Sequence, residues 1–289
     1  MTTRPTYRRC LWAALWCIVA AAHAGPTQQV VRVTNLNADG PGSFAAAVAT
    51  KGPRVVVFEV GGVIDLGARG LEIAEPFLHV AGQTAPSPGI TLIRGGLTVS
   101  TNDVVIRHLR VRPGDAGQAK RSKWEPDGLT THRAARVVID HCSFSWAVDE
   151  NLSASGLNPS SADVTFRHCI IAEGLRLATH GKGAHSMGTL VFGNNERVAI
   201  LFNLYACNDV RNPRFNGGCS ATVANNLIYN PGGQAIHLQN SNPAISIVGN
   251  VLRHGPSTSP RLTMISDDRV LARCVRVFGP ALVLEKSNI

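Results

Sequence analysis

The stretch Arg136–Glu150, RVVIDHCSFSWAVDE, decides how the rest of the chain is read. It opens on a short apolar run, Val137-Val138-Ile139, that reads as a buried strand. The run passes straight into an Asp140-His141 pair, and the stretch ends on two adjacent carboxylates, Asp149 and Glu150. Similar short apolar runs recur on both sides, among them VVVFEV (55–60), VVIRHLRV (104–111), VTFRHCII (164–171), VAILFNLY (198–205), ATVANNLIY (221–229) and ISIVGNVL (245–252). Set in one register, they place Leu109, Cys142, Cys169, Asn203, Asn226 and Asn250 at the same site, with separations of 33, 27, 34, 23 and 24 residues. The shorter separations suit one coil of a parallel β-helix, and the longer ones carry a loop of roughly ten extra residues. In such a solenoid each coil lies about 4.8 Å from the last, with like residues above like. Asn203, Asn226 and Asn250 are then expected to form a ladder of amide-to-amide hydrogen bonds. Cys142 and Cys169 are expected to stack as apolar rungs. A β-sandwich with coincidental spacing is the alternative, and the repeated small polar residue after each apolar run weighs against it.

Outward from this core, Val30, Val31 and Val33 suggest a first strand. Ser43 reads as the N-cap of a two-turn helix within SFAAAVAT, placed to cover the open end of the stack. The loops Pro113–Lys123, Ser153–Asp163 and Ala172–Gly188 are long, and function on a solenoid collects where such loops cluster. Beyond Met264 the turn–strand–Asn rhythm fades, so residues 266–289 read as an atypical tail following a β-helix domain at 25–265. Residues 1–24 read as a signal peptide: Arg4, Arg8 and Arg9 precede the apolar run Cys10–Ala22, and Ala22-His23-Ala24 is an A-x-A cleavage site. That run is too short to span a bilayer comfortably, and no other stretch approaches the length required. The mature chain is expected to be exported, extracellular or periplasmic, and free of the membrane.

Charged residues make up only 16% of the chain and apolar residues 44%, which favours a packed core over disorder. Glycine is plentiful (28 residues) and aromatics few, as many short strands and tight turns require. The formal charge of +9 falls to +6 once the three signal arginines are removed. A basic exported protein suggests an acidic partner. There is no nucleic-acid module and no Lys/Arg run, which leaves an acidic polysaccharide. Of the seven cysteines, Cys10 and Cys17 leave with the signal. The other five lie in no C-x-x-C unit, which speaks against a zinc cluster. Cys207 and Cys219 are a candidate disulfide in an oxidising compartment.

The stretches WEPDGL (124–129), VVIDHCSFSW (137–146), THGKGAHSMG (179–188) and RNPRFNGG (211–218), set among parallel-helix rungs, resemble the pectate lyases of polysaccharide lyase family 1. The resemblance runs from about Val33 to Arg261. It implies an all-β, right-handed single-stranded parallel β-helix that binds Ca2+ and cleaves polygalacturonate by β-elimination. It places metal ligands at Glu125, Asp127 and Asp149, a chemistry consistent with calcium's preference for carboxylate oxygens. On an extended strand Glu125 and Asp127 would point to the same side. The resemblance also makes Arg211 the catalytic base, and gives Lys182 the role of holding a substrate carboxylate. Arg214 is a second candidate for that task. Two positions depart from the family pattern: Ser153 stands where another acid is often found, and Asn216 where a second arginine is expected. Glu150 is available to compensate for Ser153. His180 and His185 read as loop histidines, since an H-x4-H pair without a third ligand makes no metal site. Asp140 and His141 read as structural.

Two other readings stay open at this level. A glycoside hydrolase on the same scaffold would need two carboxylates flanking the bond, drawn from Asp140, Asp149 and Glu150, and the R-N-P-R element argues against it. A non-catalytic β-helix that binds acidic polysaccharide is the other. In each case a monomer is expected.

Overall fold

The computed structural model describes residues 28–239, 244–268, 275–278 and 282–284; the signal segment expected at 1–24 lies outside them. Along each short strand, buried apolar residues alternate with outward ones. Val137 and Ile139 are buried while Val138 between them is half-exposed, and Val104/Ile106 and Val164/Phe166 repeat the pattern. Strands this short cannot bury an apolar face alone, so each stacks on the next coil. The register is direct: Val80, Ile106, Ile139, Phe166, Ile200, Val223 and Ile247 form one continuous column. All seven are essentially inaccessible to solvent. Each such side chain contributes about 1.5–3 kcal/mol by leaving water.

Among the described residues the strands form three parallel sheets of ten, nine and eight members, and the chain visits them in rotation. Parallel neighbours cannot be joined by a tight hairpin, so every return takes a full coil. The result is a right-handed parallel β-helix, the hand that parallel crossovers take.

The asparagine ladder forms as expected. Asn203 Nδ2 donates to Asn226 Oδ1 at 3.0 Å, and Asn226 Nδ2 donates to Asn250 Oδ1 at 2.9 Å. Each Oδ1 also accepts the backbone N–H of the preceding rung: Cys169 onto Asn203, Asn203 onto Asn226 and Asn226 onto Asn250. Cys142 and Cys169 are buried as the adjoining apolar rungs. A second buried ladder was not visible in the spacing. Asn151 Nδ2 donates to Asn208 Oδ1 at 3.0 Å, and Asn208 Nδ2 donates to Asn212 Oδ1 at 3.1 Å.

The helix expected after Ser43 spans Phe44–Val48, and the Ser43 hydroxyl accepts the Ala46 N–H at 3.1 Å. Phe44, Ala47 and Val48 join the core. Just past the helix, buried Arg54 donates to the carbonyls of Val48, Gly52, Glu75 and Pro76, binding the helix end to the second coil. The described residues of the tail continue the stack despite its irregular sequence. Ile265–Asp268, Val275–Phe278 and Leu282–Leu284 each add one parallel strand to a different sheet. The disulfide suggested for Cys207 and Cys219 is not formed, and both are free thiols. Cys219 is buried with its Sγ on the Gly193 and Val191 carbonyls, whereas Cys207 sits exposed in a left-handed turn residue at φ 56°.

Candidate active site

Four strands that are consecutive in the eight-stranded sheet carry the site: Leu129–His132, Glu150–Gly156, Met187–Gly193 and Arg214–Asn216. Asp127, Asp149, His185 and Arg211 each lie just before one of these strands, and Glu150 opens its own. Rung spacing therefore gathers residues that are far apart in sequence along one side of the coil. Gly188 permits the close approach of the last two rungs: a Cβ there would lie 2.4 Å from the Arg211 carbonyl oxygen. The second asparagine ladder ties the same rungs together from inside, because Asn151 follows Glu150 and Asn212 follows Arg211.

The carboxylates of Asp127, Asp149 and Glu150 converge to within 4.8 Å. Asp127 Oδ1 accepts the Glu150 N–H at 3.0 Å, and its Oδ2 accepts the Thr130 hydroxyl. Burial, helped by the charge of Asp149, pushes the Asp127 carboxyl up to about 7. Hydroxyls from Thr130 and from Ser153, one rung on, pull the other way by favouring the charged form. Ser153 thus places a hydroxyl, not an acid, behind the cluster. Burial also acts to raise the Asp149 carboxyl, but it lies below the ordinary value because the His185 hydrogen bond and the charges of His185, Arg211 and His180 outweigh burial. The His185 bond is 2.9 Å, from Nε2 to Asp149 Oδ1.

Arg211 completes the group. Its Nη1 contacts Glu150 Oε1 and lies 3.8 Å from Asp149 Oδ1. Both members of the Arg211–Glu150 pair are largely buried, at 14% and 5% side-chain exposure. Burial lowers the Arg211 pKa, the nearby charge of Arg214 lowers it further, and Asp149 and Asp127 oppose both. Arg214 lies two rungs along from Ser153, in register with Leu190 and His237. Asn216 shares its outward face.

Glu125 takes a different position from its neighbours. Residues 124–127 are not a strand, with Pro126 between the two acids, so strand alternation does not set where Glu125 and Asp127 point. Glu125 Oε1 accepts the Gly181 N–H at 2.7 Å and lies 3.6 Å from His180 Nδ1. His180 Nε2 is 3.8 Å from Asp149 Oδ2, so this imidazole stands between Glu125 and the acidic trio. His180 and His185 are buried and stacked, with ring centroids 3.6 Å apart. They are therefore part of the site wall and not simple loop residues, and Asp149 is the third group that the spacing of the histidines did not reveal. Lys182 is exposed on the same loop, its N–H donating to His180 Nδ1 at 3.1 Å. A groove of about 340 Å³ runs beside the acidic residues, lined in part by Thr98, Lys123, Trp124, Glu125 and Asp127.

The Asp140-His141 pair lies elsewhere, at the end of a strand in the ten-stranded sheet. Asp140 is buried and engages Arg107, Arg167, His141 and His168. Burial works against ionisation there, but hydrogen bonds from Arg167, His168 and His141, with the charge of Arg167, hold its carboxyl far below the usual range. The donor set that fits a hard divalent cation is the converging oxygen group around Asp127 and Asp149, where like charges crowd.

No protein-family model matches the chain. In sequence the chain is 35% identical to a probable pectate lyase C of Aspergillus terreus over 244 residues, 83% of this chain and 53% of that protein. The chain is a relative of the pectate lyases. A probable pectate lyase C of Neosartorya fischeri is 36% identical over the same share. The chain spans about half the length of these curated pectate lyase relatives. Among solved structures, the cedar pollen allergen Jun a 1 superposes with a TM-score of 0.67 at 19% identity, covering 90% of this chain and 81% of that one. A Bacillus pectate lyase solved with trigalacturonate superposes with a TM-score of 0.51 at 12% identity, covering 92% and 83%. At these identities the superpositions show the β-helix fold alone.

Proposed function

We propose that this chain is an exported, calcium-dependent pectate lyase that cleaves polygalacturonate by β-elimination and leaves 4,5-unsaturated ends. The single observation that carries this reading is the approach of a buried guanidinium, Arg211, to a converging carboxylate group on neighbouring rungs. Relatives named as pectate lyases, and a superposable lyase solved with trigalacturonate, agree in substrate class.

Asp127 and Asp149 would hold the cation; Glu125, the third ligand expected from the sequence, instead accepts the Gly181 N–H on the other side of His180. Bound there, calcium would neutralise a uronate carboxylate and so acidify the adjacent C5 proton. Lys182 and Arg214 hold neighbouring uronate carboxylates. Arg211, once it has given its own proton to solvent, receives the C5 proton on the neutral guanidine nitrogen. The C5 electron pair forms the C4–C5 double bond, and the C4–O bond breaks to the leaving sugar, whose oxygen takes a proton from water. Arginine is a poor base in water, where its pKa exceeds ~12. Burial and the proximity of Arg214 move Arg211 in the direction the reaction needs. Among the described residues no helix is long and apolar enough to cross a membrane. Export through residues 1–24 and action as a monomer complete the proposal.

The hydrolase reading loses ground on geometry. Asp140 is consumed by two arginines and two histidines, and Glu150 is paired with Arg211. The test is product analysis after incubation with polygalacturonate. Ultraviolet-absorbing unsaturated oligomers support the lyase. Saturated products with new reducing ends identify a hydrolase, and binding without product identifies a lectin-like β-helix.

A further inference from the structure

The reaction proposed above asks more of Arg211 than burial alone supplies: a nitrogen of its neutral guanidine must be aimed at C5, beside the acids Glu150 and Asp149. Glu150 is the residue placed to aim it. It is the first residue of the strand Glu150–Gly156, buried, and it faces both halves of the site. Its backbone N–H donates to Asp127 Oδ1 at 3.0 Å, and its side-chain Oε1 contacts Arg211 Nη1. Asp149 Oδ1, the other acid near that nitrogen, is 3.8 Å away and already accepts from His185 at 2.9 Å. The backbone beneath the pair is fixed as well. The buried ladder Asn151–Asn208–Asn212 connects the neighbours of Glu150 and Arg211 through two side-chain hydrogen bonds.

We infer that Glu150 is the positioning residue for Arg211, not a further cation ligand, although its carboxylate lies close enough to Asp127 and Asp149 to have served as one. A carboxylate against a guanidinium fixes the plane of the fork and the direction of its free nitrogens. This inference rests on the lyase reading. It assigns the second acid of the Asp149-Glu150 pair to the base, and leaves the first to the cation.

The experiment compares wild type with Glu150→Gln, Glu150→Asp and Arg211→Ala on polygalacturonate, and measures calcium binding by calorimetry. Glu150→Gln keeps the shape and one acceptor oxygen but loses the charge that orients the fork. A misaimed catalytic group lowers kcat on the order of 10²-fold. KM is expected to stay within about twofold of wild type, since it does not report the aim of a group that acts only in the transition state. The calcium dissociation constant, which feels the lost charge only through space, is expected to rise far less than kcat falls. Glu150→Asp, which keeps the charge, is expected to recover part of kcat. Thermal unfolding checks that each variant folds. Added guanidinium ion supplies a second readout: it should restore activity to Arg211→Ala, and far less to the Arg211→Ala/Glu150→Gln double variant.

A calcium constant weakened in step with kcat in Glu150→Gln would make Glu150 a cation ligand and overturn the inference. Unchanged kcat in Glu150→Gln, or equal rescue of the two Arg211→Ala proteins, would overturn it as well. Full activity of Arg211→Ala would instead remove the lyase reading of Arg211 on which the inference stands.

Discussion

Replacing Asn226 by Ala tests whether the inner ladder holds the coils together. Asn226 is buried, and its side chain takes part in four hydrogen bonds. Its Oδ1 accepts from Asn203 N and Nδ2, while its Nδ2 donates to Ile200 O and Asn250 Oδ1. Two of the four partners keep a second bond: Asn203 Nδ2 still reaches Phe166 O, and Asn250 Oδ1 still accepts the Asn226 N–H. The Asn203 N–H loses its acceptor and the Ile200 carbonyl loses this donor, both in the dry interior. At about 1–3 kcal/mol for each buried group stripped of its partner, the loss is roughly 2–6 kcal/mol. For a domain of this size each kcal/mol lowers Tm by about 2–4 °C, so a fall on the order of 10 °C is expected. Urea or thermal unfolding followed by far-ultraviolet circular dichroism measures it. Thr222→Ala, an exposed position in the adjacent strand, is the control and should stay within about 0.5 kcal/mol of wild type. An Asn226→Ala protein no less stable than the Thr222 control would refute the ladder argument.

The site yields further expectations. Asp127→Asn should weaken calcium binding by roughly tenfold or more, because affinity in oxygen sites follows the charge of the ligands; calorimetry at neutral pH reads this. Calcium and a proton compete for Asp127, whose carboxyl titrates at about 7, so calcium affinity should rise with pH and level off above that value. The slope below it is about tenfold per pH unit for one displaced proton, and Asp127→Asn should flatten it. The sign also applies to folding. A carboxyl raised in the folded state keeps a proton that the unfolded chain has already lost above about 4, so the calcium-free protein should lose stability as pH climbs from there to 7. Added calcium should restore it, as a thermal shift larger at pH 8 than at pH 5. Asn208→Ala should cost about 2–4 kcal/mol from stranded buried partners, and should lower kcat beyond what the unfolded fraction explains. Its amide joins the side chains of Asn151 and Asn212, the residues that follow Glu150 and Arg211.

The outer architecture was legible because a coil repeats in register. The spacing of Asn203, Asn226 and Asn250 named the ladder residue by residue, and the recurring apolar runs marked the stacked strands, although Val138, read as buried with Val137 and Ile139, faces outward between them. The helix at Phe44–Val48 was legible from its Ser43 cap. What was hidden lies in the turns, where no period applies. Asn151, Asn208 and Asn212 belong to one ladder but stand at 57- and 4-residue separations, which no repeat length predicts. His180 and His185 looked like an incomplete metal pair because their partner, Asp149, is 36 residues before His185 and meets it only through coil stacking. Glu125 and Asp127 were read with strand geometry, but the segment around Pro126 is irregular, and their different partners, the Gly181 N–H and the Glu150 N–H, follow from loop and coil stacking rather than from alternation. Glu150 was visible as half of a carboxylate pair; its engagement with Arg211 was not, because that contact depends on which face of the first strand residue turns inward.

The central claim is that a cation held by the acidic rungs acidifies a uronate C5–H and that the neutral guanidine form of Arg211 beside them takes the proton. The absorbance of unsaturated products from polygalacturonate, followed as calcium is titrated into chelator-treated wild type and Arg211→Ala, measures this directly. The account predicts a calcium-dependent rise for wild type and a rate lower by about 10²–10⁴-fold for Arg211→Ala at saturating calcium. A wild-type rise that survives complete chelation, or an Arg211→Ala protein as fast as wild type, would contradict it.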